Sequence, residues 1–290
     1  CETRTDPPPF DGRRAYQYLI QQVAFGPRVP GSEASAECRK FMLTHFVKLG
    51  GDIDSQVFTF SDPYSQTEIK MVNLIARFNA AITKSDRVIL MAHYDCRPRT
   101  DYAHNRELKD MPIDGANDGA SGVAVLMELA NLFTQQTPPV AVDLVLVDGE
   151  DWGKVGDNEY YLLGSKEFVR HNIRGKYRFG VVIDMVGDSS QEIYREGYSE
   201  QFYRSLNDMI WRAAGRLGIA SFRDSVKHSI IDDHLSLNSV GVPAVCLIDF
   251  DYPYWHTEFD TPDKCSAASL ANVGQVLVEI IYNPSLWPKN

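Results

Sequence analysis

Two rhythms of apolar and polar positions run along the chain, and the switches between them locate the folded elements. Over residues 13–23 and 32–49 apolar side chains recur every three or four positions, which places them on one side of a helix. Ser32 offers a cap for the second of these helices, and Gly50-Gly51 stops it. After Gly51 the rhythm shortens. VFTF (57–60) and MVNLIARF (71–78) predict strands, and DRVILMAHYD (86–95) predicts a buried one. Helix and strand then alternate, with helix 119–133, strand 142–148, short helix 165–171, strand 180–186, helix 202–217, strand 242–249 and a closing helix 266–281.

Several of these strands are apolar at nearly every position, as expected when both faces are covered. The alternation predicts an α/β fold whose largely parallel sheet carries helices on both faces, with an antiparallel section near its start. Residues 1–10 read as a polar, proline-rich lead or tether. Residues 11–290 read as one domain, since neither a repeat nor an interdomain linker interrupts them.

Composition narrows the function classes. No apolar run approaches the roughly 18 residues needed to cross a bilayer, so no transmembrane segment is expected. The net charge of −10 and the absence of a Lys/Arg cluster make nucleic acid an unexpected partner. Five cysteines are scattered without a C-x-x-C pair, which removes zinc-finger and dithiol redox readings. The odd count leaves at least one unpaired, and Cys1 is a candidate for it.

The polar residues that interrupt the pattern gather where strands end. His93 and Asp95 follow VILMA, Glu150 and Asp151 follow LVLVDG, Asp184 interrupts VVIDMV, and Trp255-His256 come shortly after AVCLIDF. Asp118 stands just before a helix. In open α/β sheets ligands bind beyond the carboxyl ends of the strands. Carboxylates crowded there repel one another unless a cation or a shared proton compensates. Histidine and carboxylate without thiolate suit a zinc ion with an open coordination position.

The ordered set AHYD, NDGASG, DGED, IDMVGD and WHTEFDTPD resembles the zinc-dependent exopeptidases related to bacterial and vacuolar aminopeptidases, and within them the bacterial glutaminyl-peptide cyclotransferases. The resemblance covers nearly the whole chain. It implies a three-layer α/β/α sandwich around a mixed, mainly parallel sheet, and a catalytic role for the domain. It also implies Asp118, Asp151 and His256 as ligands of one Zn2+, and Glu150 as the general base and acid. Asp184 and Asp233, the latter from IIDDHLSL, are then carboxylates that share protons with Glu150. Trp255, with its aromatic neighbours Phe250 and Tyr252, would wall the substrate pocket. The implied reaction closes the N-terminal glutamine of a peptide or protein into pyroglutamate and releases ammonia, with zinc as the Lewis acid.

Two departures stand out. The paired acids are usually Glu-Glu in these relatives, whereas here they are Glu150-Asp151. His93, Asp118 and Asp184 also match the second metal site of two-zinc aminopeptidases, so the number of zinc ions stays open between one and two. An aminopeptidase hydrolysing N-terminal residues is the rival enzyme reading, and a non-catalytic binding homologue is a third. A chain that opens on cysteine also resembles a mature bacterial lipoprotein, which implies a secreted or periplasmic protein anchored by lipid at Cys1. An arbitrary start is the alternative. A monomer is expected.

Other residues have plainer readings. Trp152, Tyr160, Tyr161 and Trp211 are expected to pack, and His45, His104, His171 and His228 to lie on the surface or in packing. His234 could order the acids beside it or serve structure alone, and the polar stretch 100–112 is expected as a solvated loop that could border the entrance.

Overall fold

The computed structural model describes residues 7–79, 87–171, 173 and 176–289. Cys1, with the expected anchor, and Asp86, at the start of the third expected strand, lie outside the described residues.

Helix α1 (Gly12–Val23) is capped by Asp11, whose side chain accepts from the amides of Arg13 and Arg14. Helix α2 (Glu33–Lys48) is capped by Ser32, as expected, with Oγ accepting from Ser35 N at 3.1 Å. The strands follow as β1 (Asp52–Ser61), β2 (Glu68–Phe78), β3 (Arg87–His93), β4 (Ala141–Val147), β5 (Phe179–Asp184) and β8 (Ala244–Ile248). They form one sheet in the order β1-β2-β4-β3-β5-β8. β2 runs antiparallel to both its neighbours, and the remaining pairs are parallel, so the antiparallel section sits at the start.

Side chains leave a strand alternately to its two faces. Leu90, Leu144, Val181 and Leu247 join a core with α1, α2, α3 (Ala120–Gln135), α5 (Gly197–Leu217) and α7 (Ala267–Tyr282). Ile89, Met91, Val145, Val182 and Ile248 face the opposite way, toward Phe168 of α4 (Leu163–Arg170) and Leu237 of α6 (Asp233–Ser239). The result is the expected three-layer sandwich. Gly122 lets α3 close on the sheet, because a Cβ there would lie 2.1 Å from the carbonyl oxygen of Ile183.

Three features differ from the pattern. Helix α5 begins at Gly197 rather than 202, because Glu196 caps it and the non-helical Tyr203 (φ −139°, ψ 47°) breaks the periodicity inside it. Helix α6 is only seven residues long, too short for a period to show. A second small sheet pairs β6 (Ile193–Arg195) with β7 (Phe222–Val226), whose last four residues, Arg223 to Val226, are exposed and mostly polar. No described helix is long and apolar enough to cross a membrane. The four described cysteines, Cys38, Cys96, Cys246 and Cys265, are buried and free, so unpaired thiols are not confined to Cys1.

Candidate metal centre and active site

Strand register sets the position of the site. His93 stands level with Val147 on β4, and Asp184 level with Ile248 on β8, so four parallel strands deliver their following loops to one edge. Those loops carry Asp95, Glu150-Asp151 and Trp255-His256. Asp118 comes from the turn before α3, Asp232 caps α6, and Asp233 is its first residue.

Two buried acids hold this arrangement by accepting from backbone. Asp95 receives the amides of Glu150 and Asp151 on its two oxygens, both at 3.2 Å. Asp260 receives Asn117 N at 2.8 Å and Asp118 N at 3.1 Å. Between them Gly119 adopts φ +104°, with its Cα close against the carbonyl of Asp95; a Cβ there would lie 2.2 Å from that oxygen. Only glycine reconciles that φ with that contact.

Two triads result, and Asp118 belongs to both. His256 Nε2 lies 3.4 Å from Asp118 Oδ2 and 3.2 Å from Asp151 Oδ2. His93 Nε2 lies 3.2 Å from Asp118 Oδ1 and 3.0 Å from Asp184 Oδ1. Within each triad the three donor atoms lie within 4.8 Å of one another. The Oδ2 atoms of Asp118 and Asp151 are buried and have no hydrogen bond of good geometry among the described residues. Two anionic oxygens crowding one imidazole nitrogen are a donor set that fits a zinc ion. Proton affinities report the same need. Burial disfavours a charged His256, yet Asp151 and Asp118 carry its pKa up to about 9. Burial likewise opposes a charged His93, and Asp184 and Asp118 outweigh it. Against its own burial, Asp118 is held below the usual carboxylate range by the two histidines.

Beside the triads lies a group of acids that cannot all ionise. Burial raises the Glu150 carboxyl well above its ordinary range; His93 opposes this, while Asp151, Asp233 and Asp232 add to it. Burial also lifts Asp184 to about 7, and burial followed by the charge of Asp232 lifts Asp233 to about 8. Asp232 accepts from the Cys246 thiol at 2.9 Å, and His234 Nε2 lies 3.1 Å from Glu196 Oε2. His234 therefore pairs with a helix-capping acid rather than facing the cavity.

Glu150 and the His256 triad open onto a cavity of about 350 Å³ with largely apolar walls, including Trp255, Phe250, Ile230, Ile231, Ile248 and Met185. Trp255 stacks on His256, with ring centroids 3.9 Å apart, and Phe250 packs against Trp255 at 5.0 Å. A larger hollow of about 610 Å³ near Asp54 and Asp143 lies at the opposite end of the strands, where the charged groups already pair, as Arg87 does with Asp143 at 2.6 Å. It holds neither triad.

One expectation is corrected. Tyr252 does not wall the cavity; it is 3% exposed and donates its hydroxyl to Asp260 Oδ1 at 2.8 Å, supporting the turn that carries Asp118. Tyr161 and His228, expected in packing or at the surface, do line the cavity. Sequence reasoning also gave no role to Arg97, Asp101 and Asp260. Asp260 is within the WHTEFDTPD motif, but the two amides it receives, those of Asn117 and Asp118, lie more than 140 positions away.

A model of Peptidase family M28 matches residues 73–281, a span that contains both triads. The crystal structure of Bacteroides thetaiotaomicron glutaminyl cyclase bound to N-acetylhistamine is similar over 96% of this chain and 99% of its own, at 34% identity and a TM-score of 0.91. A leucine aminopeptidase precursor from Bacteroides thetaiotaomicron VPI-5482 is similar over the same shares, at 35% identity and a TM-score of 0.91. A probable zinc metalloprotease of Leptosphaeria maculans is 26% identical over 60% of this chain, and the match spans 42% of that relative's length. Fold and family are thus common to relatives named for two different reactions. The chain belongs to peptidase family M28 and is a metal-dependent enzyme of that family.

Proposed function

We propose that this chain is a glutaminyl-peptide cyclotransferase, which converts the N-terminal glutamine of peptides or proteins to pyroglutamate and ammonia. The observation that carries the reading is the stacking of Trp255 on His256 at the wall of an apolar cavity that Glu150 also lines. Cyclisation needs the glutamine side chain curled toward its own amine and water kept away. An indole and a phenyl ring on that wall supply both, since imposed orientation favours intramolecular attack.

Asp118, Asp151 and His256 would hold one zinc ion, which when bound supplies Lewis acidity to the side-chain amide oxygen. Glu150 takes a proton from the α-amine as its nitrogen bonds to the side-chain carbonyl carbon. It returns that proton to the amide nitrogen, which leaves as ammonia. Asp184 and Asp233 hold the acidic group part-protonated around Glu150, in keeping with their raised proton affinities.

A second reading, an aminopeptidase, is favoured by one observation, the second triad His93, Asp118 and Asp184 beside the first. The zinc-loaded protein offered the naphthylamides of glutamine and of leucine separates the two. Ammonia from the glutamine substrate without free naphthylamine is the expected result. Free naphthylamine from both would replace the cyclase reading with the peptidase one.

A further inference from the structure

Behind the His256 triad, Arg97 and Asp101 occupy the loop that leaves β3, and the proposed metal site does not account for either. Arg97 is fully buried. Its guanidinium serves three directions at once. Nη1 donates to Asp151 Oδ1 at 2.6 Å and to the Asp151 carbonyl at 3.2 Å, Nη2 donates to the Tyr161 hydroxyl at 3.0 Å, and Nε donates to the Asp101 carboxylate. Asp101 Oδ2 in turn faces His256 Nδ1 at 3.6 Å, and the next residue, Tyr102, donates its amide to the His256 carbonyl at 3.2 Å.

We infer that Arg97 and Asp101 are a linked pair of positioning residues that fixes two of the three candidate ligands, Asp151 and His256, from behind; the inference rests on the metal site proposed above. Arg97 occupies Asp151 Oδ1, which leaves Oδ2 as the one oxygen turned toward His256 and Asp118. Asp151 is thereby confined to one-oxygen coordination, and a position stays open for substrate. Asp101 is too far from Nδ1 for a direct hydrogen bond. Its charge nevertheless favours the tautomer with the proton on Nδ1, so that the Nε2 lone pair points at the donor set. A buried guanidinium between two carboxylates is compensated on both sides, which a point-charge ammonium could not match in three directions. The pairing also suits the shortened acid of this chain, because Asp151 needs a partner to set where its single methylene places the carboxylate.

The test uses the full chain, as parent, Arg97→Met, Arg97→Lys and Asp101→Asn. Zinc affinity is measured by chelator competition, and ligand geometry by the visible spectrum of the Co2+-substituted protein. Zinc affinity should fall about 10- to 100-fold in Arg97→Met and Asp101→Asn, the range found when groups behind metal ligands are removed. The Co2+ bands should shift in both, and Arg97→Lys should recover only part of the affinity. Should Arg97→Met fail to fold, Asp101→Asn, at a partly exposed residue, carries the test by itself. A parent that holds zinc beside variants of unchanged affinity and spectrum would overturn this inference alone. A parent that holds no zinc would overturn the metal site beneath it as well.

Discussion

The indole of Trp255 lies over the imidazole of its own chain neighbour, His256, with the ring planes 30° apart. Successive side chains of an extended chain point apart. They stack here because His256 adopts a left-handed backbone, φ +55°, which a non-glycine residue takes up only at a cost. The carbonyl of His256 is held by Tyr102 N, and its imidazole by two carboxylates, so the surroundings maintain the strain.

Replacing Trp255 with alanine should therefore do more than widen a pocket. We expect a higher KM for Gln-peptides together with a lower kcat, since on the reading proposed above the indole would both confine the substrate and back a ligand. Steady-state kinetics on one dipeptide series checks this. A change in KM alone would mean that the indole only binds.

Glu150→Gln should keep its metal and lose turnover by about 100-fold or more, the contribution of a positioned general base. Metal content by elemental analysis, alongside ammonia release, distinguishes this from loss of the site. Activity close to that of the parent would remove Glu150 from the chemistry.

Gly119→Ala places a methyl group 2.2 Å from the Asp95 carbonyl oxygen and forces alanine into φ +104°. We expect a stability loss of about 2 kcal/mol or more by chemical denaturation, together with weaker zinc binding because the turn carrying Asp118 must shift. A variant as stable as the parent would show that the turn relaxes freely.

Asp249 gives a pH dependence away from the ligands. Burial, with Asp188 adding, raises its carboxyl to about 7, against about 4 in an unfolded chain. The folded state therefore prefers the protonated form. Its contribution is complete below about pH 4 and is lost as pH climbs to about 7. Asn imitates the neutral acid, so Asp249→Asn should lose less stability between pH 5 and pH 7.5 than the parent does, as followed by urea unfolding. An identical loss in both proteins would place the slope elsewhere.

How much of this was legible in the sequence depended on how far apart the partners lie. Strands β3, β4, β5 and β8 declared themselves through nearly unbroken apolar runs, and the acids after them through charge placed where burial is expected. Helix α6 was too short for its period to show, although IIDDHLSL had marked its acids. Arg97 stood in an ordinary polar loop, and the partner that gives it meaning, Asp151, lies 54 positions away. Tyr252 misled because an aromatic residue near a pocket mouth reads the same whether its ring faces the substrate or its hydroxyl holds Asp260.

His256 hangs from the loop after β8, the last strand of the large sheet in sequence and one of its two edges, paired to β5 alone. A chain still emerging from the ribosome, or clipped before that loop, would lack His256 and also Asp260, whose carboxylate receives the amides of Asn117 and Asp118, so the Asp118 that both triads share would stand on an unsupported turn. Completion of either triad therefore waits on the segment that follows β8. On the reading proposed above, shortened protein would turn over no substrate, however well the rest of its sheet had formed.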